Sequence, residues 1–462
     1  MVAQPFYFCY NLGTNQIAIF SPNHFRGLRK HLALYSLGKE NRMMKKGIFI
    51  FVVLATILVL LSAPVMALGG KIRMGNLKIV PSLGLEGVAD DNIFLGNGSN
   101  NTDELKESDL IAHVKPGLSF DYTMEERGTI SLGYEGDFAY YDKNDKNDWK
   151  SNKGLFNLDY EAPGGLIAKI DNTYTKTQDP FGGYAQYNLG TKTERWSDDL
   201  KSELGYKLGS RFKAFLYYNY YKQDYQAAED FAQDFYSHEA GTGVEMQVLP
   251  KTWGFIRYYY GLQDYDTGGS TGGLTTDETN NSSFTWHTVD AGLTWESGAK
   301  ISGELNFGYQ DKKYDNESNA AGEKYNDIST WVAATSIFYD VETAEDGSMI
   351  TQLGLTIDRS LNQSGSNTAN YYEDAGVGIS FKQKLATKFT LEGSFSYNFQ
   401  DYYLPQPNNR QDDDYEAGLS LDYQARDWLS AEVGYTYKEK HSNFDTNSFE
   451  DNKFNFTITA EY

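Results

Sequence analysis

The residues that most often carry acid–base or metal chemistry do not converge in this sequence. Beyond residue 68 the histidines are His113, His238, His287 and His441, and they share no spacing. The sequence there contains no phosphate-binding loop, GxGxxG, HExxH or nucleophile-elbow motif. The acidic run 412–414 is interpreted as a solvated loop, with calcium binding as the alternative, because the run lacks the EF-hand pattern. We therefore expect no enzyme, no cofactor and no metal site, although neighbouring strands could still bring a Ser, a His and an acid together.

A second kind of chemistry, the stacking of aromatic rings on sugars, is indicated by two segments, 211–225 and 251–265. Side chains alternate between the two faces of an extended strand. In both segments aromatic side chains fall on the face that also carries charge, which in a barrel would be the lumen. Packing under an inward-folded loop or against a terminal segment is the alternative. The candidate lumen aromatics are Phe215, Tyr217, Tyr221, Phe255 and Tyr259.

The same polar face of the predicted strands carries more carboxylates than cations. Rings of carboxylates favour the passage of cations, so a channel lined by them is predicted to be weakly cation-selective. Lateral Lys–Glu pairing, which would only neutralise charge on the wall, is the alternative. The candidate lumen charges are Glu203, Arg211, Lys213, Glu245, Arg257, Glu304, Glu392, Glu416 and Glu432.

The elements that must position these side chains are strands, and the segment 453–462 (KFNFTITAEY) shows the pattern most clearly. Phe454, Phe456, Ile458 and Tyr462 fall on one face of this segment, and polar residues fall on the other. A closing strand of an outer-membrane barrel, with lipid on one side and a wet lumen on the other, explains this alternation. We expect the barrel-assembly machinery to recognise this terminal strand.

The rest of the chain repeats the alternation between two kinds of spacer. Short turns such as 162–165 and 250–251 alternate with long polar stretches such as 179–192 and 266–283. This predicts an all-β, transmembrane antiparallel up-and-down β-barrel of about 18 strands, with short periplasmic turns and long extracellular loops. Sixteen strands is the nearest alternative count. Such a barrel lies in outer-membrane lipid, so we expect the outer membrane of a Gram-negative bacterium.

The N-terminal region predicts export. Lys45 and Lys46 precede an apolar run at 48–61, and Val65 and Ala67 form a small-residue cleavage site before Leu68. This order is that of a secretory signal peptide over 43–67, with a retained signal anchor as the alternative. Residues 1–42 are interpreted as a mis-called N-terminal extension, and residues 68–462 as the barrel.

Bulk composition excludes some classes of protein. The formal net charge is −22 and the pI is near 4.7, so the basic footprint of a nucleic-acid-binding protein is missing. The one cysteine, Cys9, precedes the predicted signal, so a disulfide framework is not expected in the mature chain. With 36 Tyr and 27 Phe, the chain is rich in residues favoured in strands and at membrane interfaces.

The segment 79–94 (IVPSLGLEGVADDNIF) resembles the opening strand of the putative β-barrel porin 2 family. The resemblance implies a barrel of this size. It also implies an outer-membrane channel associated with exopolysaccharide or capsule export, which would act beside a separate periplasmic polysaccharide-export protein. A general diffusion porin for small solutes, and a structural or adhesive barrel with an occluded lumen, are the alternatives. The match is carried by Pro81, Ser82, Leu83, Leu85, Asp90, Asp91, Asn92, Ile93 and Phe94.

Overall fold

The computed structural model divides into two compact units, Met1–Leu68 and Gly69–Tyr462. In the first unit it describes only the backbone of 8–10 and 17–19. In the second it describes 72–98, 106–125, 127–178, 192–226, 234–265, 282–296, 300–318, 324–345, 347–363, 371–403 and 410–462. The predicted signal peptide, 43–67, lies outside the described residues and stays a prediction.

The described part of the chain is almost entirely strand. Two short 3₁₀ helices, Asp145–Asn147 and Asp445–Asn447, interrupt it. Within this part no helix is long and apolar enough to cross a membrane. The strands are β1 (Phe8–Tyr10), β2 (Ile17–Ile19), β3 (Ile72–Met74), β4 (Leu77–Asp90), β5 (Asp109–Thr123), β6 (Gly128–Tyr141), β7 (Trp149–Glu161), β8 (Leu166–Thr177), β9 (Arg195–Leu208), β10 (Phe212–Tyr225), β11 (Phe235–Leu249), β12 (Thr252–Tyr265), β13 (Phe284–Trp295), β14 (Ile301–Tyr314), β15 (Ile328–Thr343), β16 (Met349–Gln363), β17 (Tyr371–Ala386), β18 (Phe389–Tyr403), β19 (Arg410–Arg426), β20 (Leu429–Ser442) and β21 (Phe449–Glu461).

Strands β4 to β21 form a closed antiparallel barrel in which each strand pairs with its neighbours in sequence. The barrel closes where β21 pairs with β4, so the predicted fold and the count of eighteen are confirmed. Connections alternate between short turns, such as 250–251, and long ones, such as 266–283. We refer to the end with the long connections as the extracellular end. In the first unit, β1 and β2 pair with each other.

The seam between β4 and β21 is shared with a short third strand. The β4–β21 ladder runs from Asp90 opposite Lys453 to Ser82 opposite Glu461. Below it, β3 folds back along the same strand and pairs Ile72 with Ile79. The closing edge of β4 is therefore covered by two different partners.

The structure corrects two details of the sequence analysis. The first barrel strand ends at Asp90, before the Asp91–Phe94 part of the family-like segment. The acidic run 412–414 is not a solvated loop, because it lies on β19. Asp412 has no exposed surface and pairs with Arg410 and with Lys440. The strands extend beyond the membrane, so the acidic residues 412–414, which resemble loop sequence, belong to β19.

Candidate solute pathway

The two faces of the barrel wall differ sharply in chemistry. Large apolar side chains on alternate positions are strongly exposed, among them Leu216 at 59%, Ile256 at 59% and Phe307 at 47%. Such a surface is stable only against lipid. The intervening positions carry charged and hydroxyl side chains that contact one another, for example Lys213 with Glu245 at 3.2 Å. This second face lines the interior of the barrel.

One section of the inner wall, β10 to β14, carries a dense network around Arg257. The Arg257 guanidinium donates two hydrogen bonds to the carboxylate of Glu304, at 2.8 and 2.9 Å. It also lies 3.8 Å from Glu245, which pairs with Lys213. Planar two-point contacts of this kind are among the strongest charge-assisted hydrogen bonds. Four of the predicted lumen charges therefore form one connected group.

The predicted lumen aromatics of this wall pack on the network. Phe215 and Phe255 are only 5% and 4% exposed. The ring of Tyr217 lies 5.9 Å from Phe215 and 5.5 Å from Tyr259, and the Arg257 guanidinium lies 3.8 Å above Phe255. Because these rings are covered by one another and by a cation, the two phenylalanines have little free face for a sugar.

Glycines on the neighbouring strands explain how the rings fit. Gly205 lies opposite Phe215 in the ladder, and a Cβ at Gly205 would overlap the ring. Gly292 lies opposite Phe255 in the same way, and its Cβ would be 2.7 Å from the ring. The same holds for Gly241 opposite Tyr259. The sequence held this signal, since a glycine in a strand often marks a close approach by another group.

Tyr221, Glu203 and Arg211 lie outside this network, although Glu203 is opposite Tyr217 in the β9–β10 ladder. Tyr221 stands nearer the extracellular end and packs on Phe235, with ring centroids 5.4 Å apart. Glu203 pairs with Lys169 at 3.3 Å. Arg211 is exposed in the turn before β10, at the periplasmic end of the wall.

The inner face of β17 to β21 is built differently. Glu416 pairs loosely with Lys438 at 3.9 Å, and these side chains are 51% and 42% exposed. Glu392 pairs with Lys382, again with both side chains well exposed. Glu432 accepts a hydrogen bond from Asn455 at 3.0 Å. A cavity of about 430 Å³ lies here, and its lining includes Ser380, Ser394, Gly418, Ser420, Gly434, Thr436 and Asn455.

Further aromatic rings lie together at the extracellular end of the β10–β14 section of the wall, and the sequence analysis missed them. Phe235 packs on Tyr265 with centroids 5.3 Å apart, and Tyr314 stacks on Tyr325 at 4.7 Å. Lys312, 2% exposed, lies 3.7 Å above the ring of Phe284. Burial raises the pKa of Tyr325, outside the strands, to about 12.

The segment after β4 also folds onto the inner face at this end. Ile93, 3% exposed, joins a small core with Ile111, Ala139 and Tyr141. Asn92 has no exposed surface, and its amide donates to the backbone oxygens of Gly96 and Glu450 at 2.8 and 2.7 Å. The family-like residues 91–94 therefore anchor the start of this loop inside the barrel.

The four histidines do not form one site. His113 lies 2.9 Å from Asp137 on the inner face. His238 and His287 each lie 2.8 Å from a tyrosine hydroxyl, on the outer face of the wall. His441 lies 2.9 Å from Glu439.

The terminal strand has the arrangement that the sequence indicated. Phe454 and Phe456 are 52% and 47% exposed on the lipid side, and Tyr462 is 38% exposed. Ile458 shares this face and pairs with Leu85 of the first barrel strand. The Tyr462 amide donates to the Pro81 oxygen at 2.9 Å. Recognition of this strand by the assembly machinery stays a prediction.

Comparison with known families gives one match over most of the chain. The family model described as putative beta-barrel porin 2 matches residues 64–462. No curated protein matches the chain.

Several solved outer-membrane barrels are similar in structure. OccAB4 of Acinetobacter baumannii is 10% identical over 86% of this chain and 100% of its own, with a TM-score of 0.42. OpdL of Pseudomonas aeruginosa is 10% identical over 84% and 99%, with a TM-score of 0.43. The siderophore receptor PirA of Pseudomonas aeruginosa is 7% identical over 83% and 80%, with a TM-score of 0.40. Similarities at this level say nothing about the solute.

Proposed function

Because this chain belongs to the putative beta-barrel porin 2 family, we propose that it is a passive outer-membrane channel through which a Gram-negative cell exports a polysaccharide. The family and the closed barrel assign the porin-like channel fold and the outer membrane. The choice of a polysaccharide is supported by the resemblance of residues 79–94 to the opening strand of a family associated with such export. A separate periplasmic polysaccharide-export protein would deliver the polymer.

The observation that carries the proposal is the hydroxyl- and amide-lined section of the inner wall. Ser380, Ser394 and Thr436 line the cavity there together with Asn455. Hydroxyl and amide groups both donate and accept hydrogen bonds, so they replace the water that a sugar loses on entry. The charges beside them are exposed pairs, which stay hydrated and bind a neutral polymer weakly. A polymer therefore finds polar contacts without a tight site that would hold it.

This mechanism differs from aromatic stacking. Phe215 and Phe255 are covered by their neighbours, so we assign the polymer to the small-residue wall and give the aromatic wall a supporting role. Arg257 and Glu304 fix that wall in place.

A general diffusion porin for small solutes is the second candidate. The same burial of Phe215 and Phe255 favours it, because sugar-conducting channels profit from exposed rings. Under this alternative the channel needs no periplasmic partner. The exposed carboxylates Glu392 and Glu416 would then give it a weak preference for cations.

Deletion of the gene, with measurement of surface and internal polysaccharide, separates the candidates. Export predicts loss of surface polymer while synthesis continues, with rescue by the wild-type gene and by Phe395→Trp on the lipid face. Ser394→Trp on the inner face should weaken rescue, because the indole occupies part of the cavity and replaces a hydroxyl that would contact the polymer. Unchanged surface polymer together with conductance in a planar bilayer refutes export and supports the diffusion porin. Unchanged polymer with no conductance supports a barrel whose loops bind a partner.

A further inference from the structure

Three carboxylates meet where the first and last barrel strands join at the extracellular end. Oxygen atoms of Asp90, Asp91 and Asp451 all lie within 4.8 Å of one another. Asp90 and Asp451 are 4% and 1% exposed, whereas the side chain of Asp91 is 41% exposed. The group is therefore buried on one side and open to water on the other.

The nearby cations do not balance this group. The Lys453 ammonium lies 3.2 Å from Asp90 and 3.2 Å from Asp451, so the two buried carboxylates share it. Lys106 lies 3.6 Å from Asp91. In the part of the chain that the structure describes, three carboxylates thus face two ammonium groups, and the deficit falls on the buried pair. An uncompensated buried charge is strongly unfavourable.

The hydrogen bonds of the three carboxylates differ. Asp90 Oδ1 accepts a hydrogen bond from the backbone N–H of Asn92 at 2.8 Å. The two oxygens of Asp91 accept from the backbone and side chain of Asn452, at 2.8 and 3.0 Å. Asp451 Oδ2 contacts Lys453, whereas Asp451 Oδ1 is fully buried and has no hydrogen-bond partner among the described residues. Buried carboxylate oxygens without a donor are rare in native structures.

We propose that Asp90, Asp91 and Asp451 bind a divalent cation, Ca²⁺ by preference. Carboxylate oxygens and water are the ligands that Ca²⁺ takes, and its variable coordination suits a site with one open side. The cation supplies the positive charge that the buried pair lacks and gives Asp451 Oδ1 its partner. Water completes the shell through the exposed side of Asp91. The site is independent of which solute the channel conducts.

The position of the site gives it a structural role. The last pair of the β4–β21 ladder is Asp90 opposite Lys453. Beyond it the backbone contributes one more hydrogen bond, from the Asp91 amide to the Asn452 oxygen at 3.2 Å. A cation held by Asp90 and Asp451 links the two strands just where their pairing ends. Calcium therefore strengthens the closure of the barrel.

Asp412 provides a matched control because it is also a buried carboxylate at this end of the barrel. It has no exposed surface, and its oxygens contact Arg410 and Lys440. Arg410 pairs with it and Lys440 is shared with Asp414, which lies 3.3 Å from the ammonium, so two cations face two carboxylates here. Asp412→Asn should lower stability without changing the response to calcium.

The test uses the full chain, refolded in detergent micelles and stripped with a chelator. Tb³⁺ luminescence, excited through nearby Tyr141, and its displacement by Ca²⁺ measure binding, with Kd expected at about 0.1–1 mM, as in extracellular modules. At ten times Kd, Ca²⁺ should raise the folding equilibrium constant about 11-fold, whereas NaCl of equal ionic strength should not. Asp451→Asn should abolish both effects. Asp91→Asn changes the exposed ligand and should weaken Ca²⁺ binding at least tenfold. This variant tests the site even if Asp451→Asn does not fold.

Two results would overturn the site. One is the absence of Tb³⁺ and Ca²⁺ binding by the folded wild-type barrel. The other is a calcium response that survives unchanged in both Asp451→Asn and Asp91→Asn. If a shared proton fills the place of the cation, stability will depend on pH but not on calcium, which also refutes the proposal.

Discussion

Removal of the Arg257–Glu304 contact should lower the free energy of unfolding far more than removal of an exposed ion pair on the same inner face. Arg257 and Glu304 are joined by two hydrogen bonds of 2.8 and 2.9 Å, with side chains 14% and 29% exposed. Loss of one partner of a buried pair costs about 3–5 kcal/mol. The contact faces a hydrated lumen, and Glu245 retains its ion pair with Lys213 when Arg257 is removed. We therefore expect Arg257→Met to lower the free energy of unfolding by about 3 kcal/mol, the lower end of this range.

A double-mutant cycle isolates this contact from the packing of the side chains. Glu304→Gln alone should cost about 2 kcal/mol, and the double variant about 3 kcal/mol, which leaves a coupling energy near 2 kcal/mol. Reversible unfolding by guanidinium chloride in lipid vesicles, followed by tryptophan fluorescence, measures each value. Lys438 and Glu416 form the control pair, at 3.9 Å and 42% and 51% exposed. Their coupling should stay below about 0.5 kcal/mol.

The reasoning fails if the two coupling energies are equal, or if the Arg257–Glu304 value falls below about 0.5 kcal/mol, the level of a surface pair. Either outcome would mean that water in the lumen screens both contacts alike. A change in the slope of the unfolding transition would show a change in cooperativity, so the comparison uses variants that keep the wild-type slope.

Three further predictions concern the glycines opposite the aromatic rings, the lipid face and the charge of the pathway. Gly205→Ala should destabilise by about 1–3 kcal/mol, because a Cβ there overlaps the ring of Phe215; Gly154→Ala, with nothing within 4 Å, should cost less than half as much in the same unfolding assay. Leu216→Arg should lower the free energy of unfolding by about 2–4 kcal/mol, since this side chain is 59% exposed on the lipid face. A loss below about 1 kcal/mol would place residue 216 outside the hydrocarbon region. Glu416→Gln should shift the reversal potential in a salt gradient toward anions with little change in stability, and an unchanged potential would remove Glu416 from the ion path.

Much of the architecture could be predicted because a membrane barrel imposes simple periodicities. Period-two alternation at Phe454, Phe456 and Ile458 follows from lipid on one side and water on the other. The alternation of short and long spacers follows from the two ends of the barrel. Both signals are local, so the sequence alone indicates about eighteen strands and the two faces of the clearest of them, such as 453–462.

The contacts on the inner face were harder to predict because they depend on register. The pairing of Arg257 with Glu304 skips a strand, and no local pattern indicates it. The acidic run around Asp412 looked like solvated loop, because its cations Arg410 and Lys440 were not recognised as partners. The glycines opposite the rings were a usable signal, but the register between neighbouring strands must be known before a glycine can be matched to a ring.

The small strand β3 determines how other proteins can approach the closing edge of the barrel. Its pairing of Ile72 with Ile79 and of Met74 with Leu77 occupies backbone groups that β21 does not reach. An unpaired strand edge would be a template for the strand of another polypeptide. A polypeptide that adds a strand to this part of β4 would first have to displace β3.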